Sequence, residues 1–231
     1  MNILKLHREN IEFRIESLKE YNSFVEANIE KELSRIQKKF ENAQKEYEEY
    51  KIQNPEKVED DENMMDYFDD LSYNHLKIND NIILKHRNSL IFLLYSLIES
   101  ELYSFAKQNI FNENVFTIDD IKGESIFDKF KKYISKTKPN LYNSIEQDLL
   151  FFDRVRLVRN LITHHNNLIK SNNTHFIKIK EFSQDNFELV KLGMVYNTSI
   201  ETYIIRLNDK KIINTIFEKL NALLDKMYAE N

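Results

Sequence analysis

Cysteine and tryptophan are absent from this chain of 231 residues, and glycine and proline occur only twice each. Without Cys there is no disulfide, no thiolate zinc site and no cysteine nucleophile; a reducing compartment suits such a chain, and a cytoplasmic location is expected. Gly123 and Gly193 are the only glycines. They cannot build a glycine-rich phosphate loop or a dinucleotide fingerprint, which removes kinase-like and Rossmann-like functions. No Ser stands in a nucleophile-elbow context, so the commonest hydrolase class goes as well. His7, His75, His86 and His175 are scattered among unlike surroundings, and no two His stand four apart. Neither a metal nor a cofactor is expected. No run approaches the ~20 apolar residues of a membrane span, and Met1 to Asn10 carries charges where a signal peptide would be apolar.

Charge of one sign is scarce over parts of the chain and crowded in others. The total is -5, from 33 Lys and Arg against 38 Asp and Glu. Between Gln53 and Asp70 eight acids face the single base Lys57, whereas Lys122 to Lys170 carries ten bases and five acids. A polyanion would dock on the second stretch, not the first.

What remains is material for helices. Ile29, Leu33, Ile36, Phe40, Ala43, Tyr47 and Tyr50 recur in steps of three and four, so 1–52 is expected to form one long amphipathic helix. Its stripe either packs on the chain's own bundle or serves as a coiled-coil arm for a partner. Asn54-Pro55 should end it. The acidic stretch 53–80 reads as a turn-rich linker with room for a short helix near Met64 to Leu71. Asn81 can cap a helix to about Asn109 whose centre, Leu90 to Ile98, is apolar nearly all round and closed by Glu99 and Glu101. Ser125 starts a basic helix that Pro139 ends, and Leu141 to Ile169 is the last large helix of the bundle. Two segments, His175 to Lys180 and Phe187 to Val195, read as strands, with Tyr203 to Leu207 a third. Asn208 or Asp209 then caps a closing helix through Ile212, Ile216, Leu220 and Leu224. The fold expected is all-α: an antiparallel helical bundle over 81–170, preceded by the long helix, with a small β ribbon and closing helix over 171–231.

Chemistry concentrates in Phe152 to Asn166. On a helical wheel Asp153, Arg156, Arg159, Asn160, Thr163 and His164 share a polar arc of roughly 140°. Arg156, Asn160 and His164 stand four apart and form a column, which Arg159 flanks. A guanidinium beside an imidazole suits phosphodiester cleavage without a metal, because His moves protons near neutral pH and Arg holds the charge that grows on phosphorus. Between the two adjacent imidazoles the wheel favours His164, about 80° from Arg156, over His165 at about 180°. His165 is expected to pack among Val158 and Leu161.

Arg159-Asn160-x-x-x-His164 resembles the Arg-x(4 to 6)-His signature of the HEPN superfamily, including the polar residue that often follows the Arg. In that family the motif lies on a late helix of a bundle, after a very apolar helix that often ends in Glu; Leu90 to Ile98 followed by Glu99 looks like that helix. The resemblance covers roughly 81–170 and implies a homodimer in which two motifs face each other across one cleft. It implies RNA as substrate, cleaved without metal by attack of the 2′-hydroxyl on its own phosphate. Carried over, Arg159 would steady the phosphorane, His164 would transfer protons, and Asn160 would orient His164 or a phosphate oxygen. Glu99, Arg156 and Thr163 would support them, and Arg156, Lys129, Lys131 and Lys132 would hold the RNA backbone. Because one motif supplies a single imidazole, the dimer would also provide the second proton-transfer group. One branch of the family carries a modifiable Tyr two positions beyond the motif His, where this chain has Asn166. Silencing by a protein antitoxin, another defence-system partner or the acidic segment is expected instead. Two readings from other classes stay open: a non-catalytic scaffold or adaptor, and a sensor that binds RNA or a nucleotide in the same cleft.

Overall fold

Among the described residues, which are 3–53, 62–108, 116–194, 198–207 and 209–229, the computed structural model is predominantly helical with one small sheet. Its helices are α1 (Ile3–Gln53), α2 (Glu62–Leu76), α3 (Leu84–Gln108), α4 (Ile126–Thr137), α5 (Pro139–His165), α6 (Phe176–Asn186) and α7 (Lys211–Ala229). The strands are β1 (Leu168–Lys170), β2 (Glu188–Met194) and β3 (Glu201–Arg206), all antiparallel in the order β1-β3-β2. Two compact units divide the chain, 18–86 and the remainder, 1–17 with 87–231.

Within the unit 18–86, the stripe on α1 is covered by the chain itself. Ile29 and Ile36 form a buried cluster with Ile78 and Ile83, flanked by Val25 and Leu33. Phe68 adds edge-on ring contacts to Phe40 at 5.3 Å and Tyr47 at 6.1 Å. The short helix expected near Met64 to Leu71 is present, but it is longer and packed, which corrects the expectation of a turn-rich linker around it. Helix α2 spans Glu62–Leu76 and continues through a π-helical turn, Lys77–Ile83, directly into α3. Asn81 therefore caps nothing. Asp- and Asn-rich sequence is a poor helix former, but an apolar face with a partner outweighs propensity. Asn54-Pro55 and the acids from Glu56 to Asp61 lie outside the described residues, as do Asn109, Val195 and Asn208.

In the larger unit α3 is the central element, with Leu90, Ile91, Leu94, Ile98, Leu102 and Phe105 all buried. The continuous helical stretch Asp66–Gln108 contains a segment long and apolar enough to cross a membrane, and more than half of that segment is buried inside the protein, as in a core helix. Polar ties fix the helix ends. Buried Glu101 accepts hydrogen bonds from His7 Nε2 on α1 at 3.0 Å and from the Tyr228 hydroxyl on α7. Asp148, buried in mid α5, pairs with Lys226 at 2.6 Å and Lys219 at 3.5 Å on α7. Asp209 accepts from the Lys211 amide at the start of α7, as its cap role requires.

Three local features position the site. Ser125 Oγ accepts from the Asp128 amide at 3.1 Å and starts α4, and Pro139 occupies the first turn of α5. Helix α5 ends at His165, four residues earlier than the periodicity suggests, because Asn166 and Asn167 take left-handed backbone angles, φ 49° and 66°. Asn tolerates that region better than other side-chain-bearing residues. The Asn167 amide returns to Leu161 O at 3.1 Å, and Leu168–Lys170 leaves as β1 against β3. Finally, His175 to Lys180 is not a strand. Phe176, Ile179, Phe182 and Ser183 are the buried positions of α6, a helical spacing, while Ile177 is exposed.

Candidate active site

Two cavities lie along α5, and the polar arc is divided between them. The wider, about 870 Å³, is lined by Arg156, Arg159, Asn160 and Asp153 of α5, Tyr95 and Glu99 of α3, Lys122 to Ser125, and Phe127, Asp128, Lys131 and Lys132 of α4. A narrower one, about 270 Å³, lies nearer the helix end and is lined by Arg156, Leu157, Asn160, Leu161, His164 and His165, together with Asn173, His175 and Ile179. Arg156 and Asn160 belong to both walls. Arg159 and His164 sit at opposite edges of the roughly 140° arc, and each faces a different cavity.

In the wider cavity the cations are held. Arg159 donates from Nη1 to Asn160 Oδ1 at 3.0 Å and lies over the rings of Phe92 at 5.1 Å and Tyr95 at 5.9 Å. Its Nε is enclosed with no partner among the described residues, a cost of about 1–3 kcal/mol for a buried donor. Arg156 is clamped by Asp153 Oδ1 through Nε at 3.1 Å and Nη2 at 3.0 Å. Glu99 accepts from the Tyr95 hydroxyl at 3.2 Å. Burial, then the Glu99 charge, pushes that phenol above its ordinary range, so it remains a donor. Lys132 is shared between Asp128 Oδ2 at 2.8 Å and Lys122 O at 3.1 Å, and Lys131 lies over the Phe127 ring at 5.0 Å. At Gly123 the segment Lys122 to Ser125 passes close to the start of α4: a Cβ there would meet Asp128 Oδ2 at 2.7 Å and Lys129 Cγ at 2.9 Å, so those side chains would have to shift.

The narrower cavity holds the imidazoles. His164, His165 and His175 are exposed, and none makes a side-chain hydrogen bond to a described residue. Asn173 Oδ1 receives the His175 amide at 2.8 Å and fixes the turn that leads into α6. Helix α6 is seated on α5 through Phe182 against Phe151, ring centroids 5.4 Å apart.

Of the residues singled out from sequence, Arg156, Asn160 and His164 come together as the column predicts. Arg159, Glu99, Lys131 and Lys132 gather on the other side. Lys129 and Thr163 line neither cavity: Thr163 Oγ1 is bonded back to Arg159 O at 2.9 Å, and the Lys129 amide continues the first turn of α4. His165 is not a packing residue, because α5 stops at that position and leaves it no further turn to pack under. His175 is the residue that sequence reasoning missed. The strand assigned to His175 to Lys180 hid it, and Asn173, two positions upstream in a turn-forming pair, was the signal for a helix start. Among the described residues no group of three His, Asp or Glu is arranged to hold a metal ion.

Comparison with protein-family models, with curated proteins and with solved structures finds no match for this chain.

Proposed function

We propose that this chain is a metal-independent endoribonuclease of the HEPN type, acting as a homodimer in a bacterial toxin or defence setting. One observation carries the reading: a single face of α5 offers two guanidinium groups to a cavity lined by lysines and carboxylates and the His164 imidazole to the next, with Arg156 and Asn160 common to both. An RNA strand lying along α5 would set its backbone against Lys131, Lys132 and Arg159, in a space within the ~300–1,000 Å³ of ordinary ligand sites. The phosphate to be cleaved would reach Arg156 and Asn160, next to His164. The aromatic rings under Arg159 hold its guanidinium in place without neutralising it, which suits stabilisation of a phosphorane. A phosphate oxygen reaching the unpaired Arg159 Nε would satisfy a donor that has already lost its water.

The test is incubation of the purified protein with total RNA in excess EDTA, with the product ends analysed. Cleavage leaving 2′,3′-cyclic phosphate and 5′-hydroxyl ends is expected, from a species that light scattering sizes as a dimer. Cleavage abolished by EDTA would overturn the mechanism. Complete inertness of a folded dimer toward RNA would favour the scaffold or sensor.

A further inference from the structure

We infer that the narrower cavity at the end of α5 is a phosphate-ester subsite with two imidazoles from one chain, His164 and His175. The inference rests on the ribonuclease reading for its chemistry, and on the geometry of the cavity alone for its ligand. His164 lies in the last turn of α5, His175 stands at the start of α6, and Arg156 and Asn160 line both this cavity and the wider one. At about 270 Å³ the space falls below that of sites enclosing a drug-sized ligand, and fits one phosphate with its ribose. Its one guanidinium, Arg156, its hydrogen-bonding side chains and the positive end of α6 favour an anion.

The two imidazoles complete the chemistry without a partner's help. The neutral one accepts the proton of the 2′-hydroxyl while that oxygen bonds to phosphorus. The bond from phosphorus to the 5′-oxygen breaks, and the protonated imidazole gives its proton to the leaving oxygen. Nothing is oxidised or reduced, and exchange with water restores the starting protonation states. In the dimer, the second copy then extends the binding cleft and is not the source of the second proton-transfer group.

Binding and cleavage are measured separately. By NMR, wild-type protein titrated with a nucleoside 3′-monophosphate should shift the ring C2 protons of His164 and His175 together. His175→Ala and His175→Gln should each weaken that binding at least about tenfold, as loss of a charge-assisted contact does. In cleavage, the wild type should show a bell-shaped pH profile. Each His175 variant should lose one limb and fall roughly 10²- to 10⁴-fold in kcat. Mixing His164→Ala with His175→Ala subunits should restore nothing, since no chain then carries both rings. Unchanged nucleotide affinity in both His175 variants, an intact bell-shaped profile, or recovery on mixing would each overturn the inference. A wild type that binds the nucleotide through both rings yet cleaves no RNA would support the subsite and sink only the ribonuclease reading.

Discussion

The two cavities on α5 hold their guanidinium, ammonium and imidazole groups in opposite ways. Arg156, Arg159 and Lys132 are pinned by carboxylates, by a side-chain amide, by rings or by a backbone carbonyl, whereas no described residue hydrogen-bonds to the side chain of His164, His165 or His175. Groups that stabilise a fixed charge work best when preorganised, because no reorganisation is then needed as the charge develops. Groups that trade protons work best when solvent can reload them. The contrast separates holding from reacting, and it can be broken residue by residue.

The largest effect is expected at the reacting end. His164→Ala should lower kcat roughly 10²- to 10⁴-fold with little change in melting temperature. His165→Ala, exposed and with no hydrogen bond to a described residue, should alter stability by no more than about 0.5 kcal/mol and leave the rate largely intact. Equal rate losses in the two variants would erase the distinction between them. A smaller effect belongs to the turn that ends α5. Asn166→Ala forces a left-handed backbone on a residue that resists it, at about 1–2 kcal/mol, while Asn166→Gly should be tolerated; thermal unfolding distinguishes them, and identical midpoints would contradict the account. Smallest are the effects at the holding end. Lys131→Gln and Lys132→Gln should each flatten the salt dependence of single-stranded RNA binding by about 0.7 in the logarithmic slope, one contact each. Lys129→Gln, outside both cavities, should leave the slope unchanged.

The polar arc of α5 was legible from sequence because 3.6-residue periodicity alone decides which side chains share a face. Its division was not. A wheel assigns angles around one helix, but whether Arg159 and His164 meet in one space depends on what covers the helix from outside: the turn before α4 on one side, the start of α6 on the other. Helix α6 itself escaped notice for a related reason. Ile177-Lys178-Ile179-Lys180 alternates like a strand, and only the more widely spaced Phe176, Ile179 and Phe182 carry the helical repeat that burial selects. The stretch from Glu62 to Ile83 was legible only in part: a short helix near Met64 to Leu71 was expected and lies within α2, but the acids around it suggested solvent, while Phe68, Leu71, Ile78 and Ile83 supplied enough apolar surface to pack on α1. The central helix α3, by contrast, was legible because Leu90 to Ile98 is apolar nearly all round, although Phe92 and Leu93 of that block are exposed.

The paired asparagines after α5 also constrain how this sequence can vary over evolutionary time. Both positions need a residue at ease with positive φ, but they do not tolerate the same replacements. Asn166 is exposed, so drift to Gly costs it nothing structural. Asn167 is buried, its Oδ1 accepts from Asn88 Nδ2 at 3.3 Å, and its carbonyl accepts from the Ile205 amide in β3. A glycine there would keep the turn and lose the tie to α3. Descent with a preserved site should therefore leave Arg159, Asn160 and His164 followed by a freely exchanging Asn or Gly and then by a retained Asn, with Asn88 changing only in concert with Asn167.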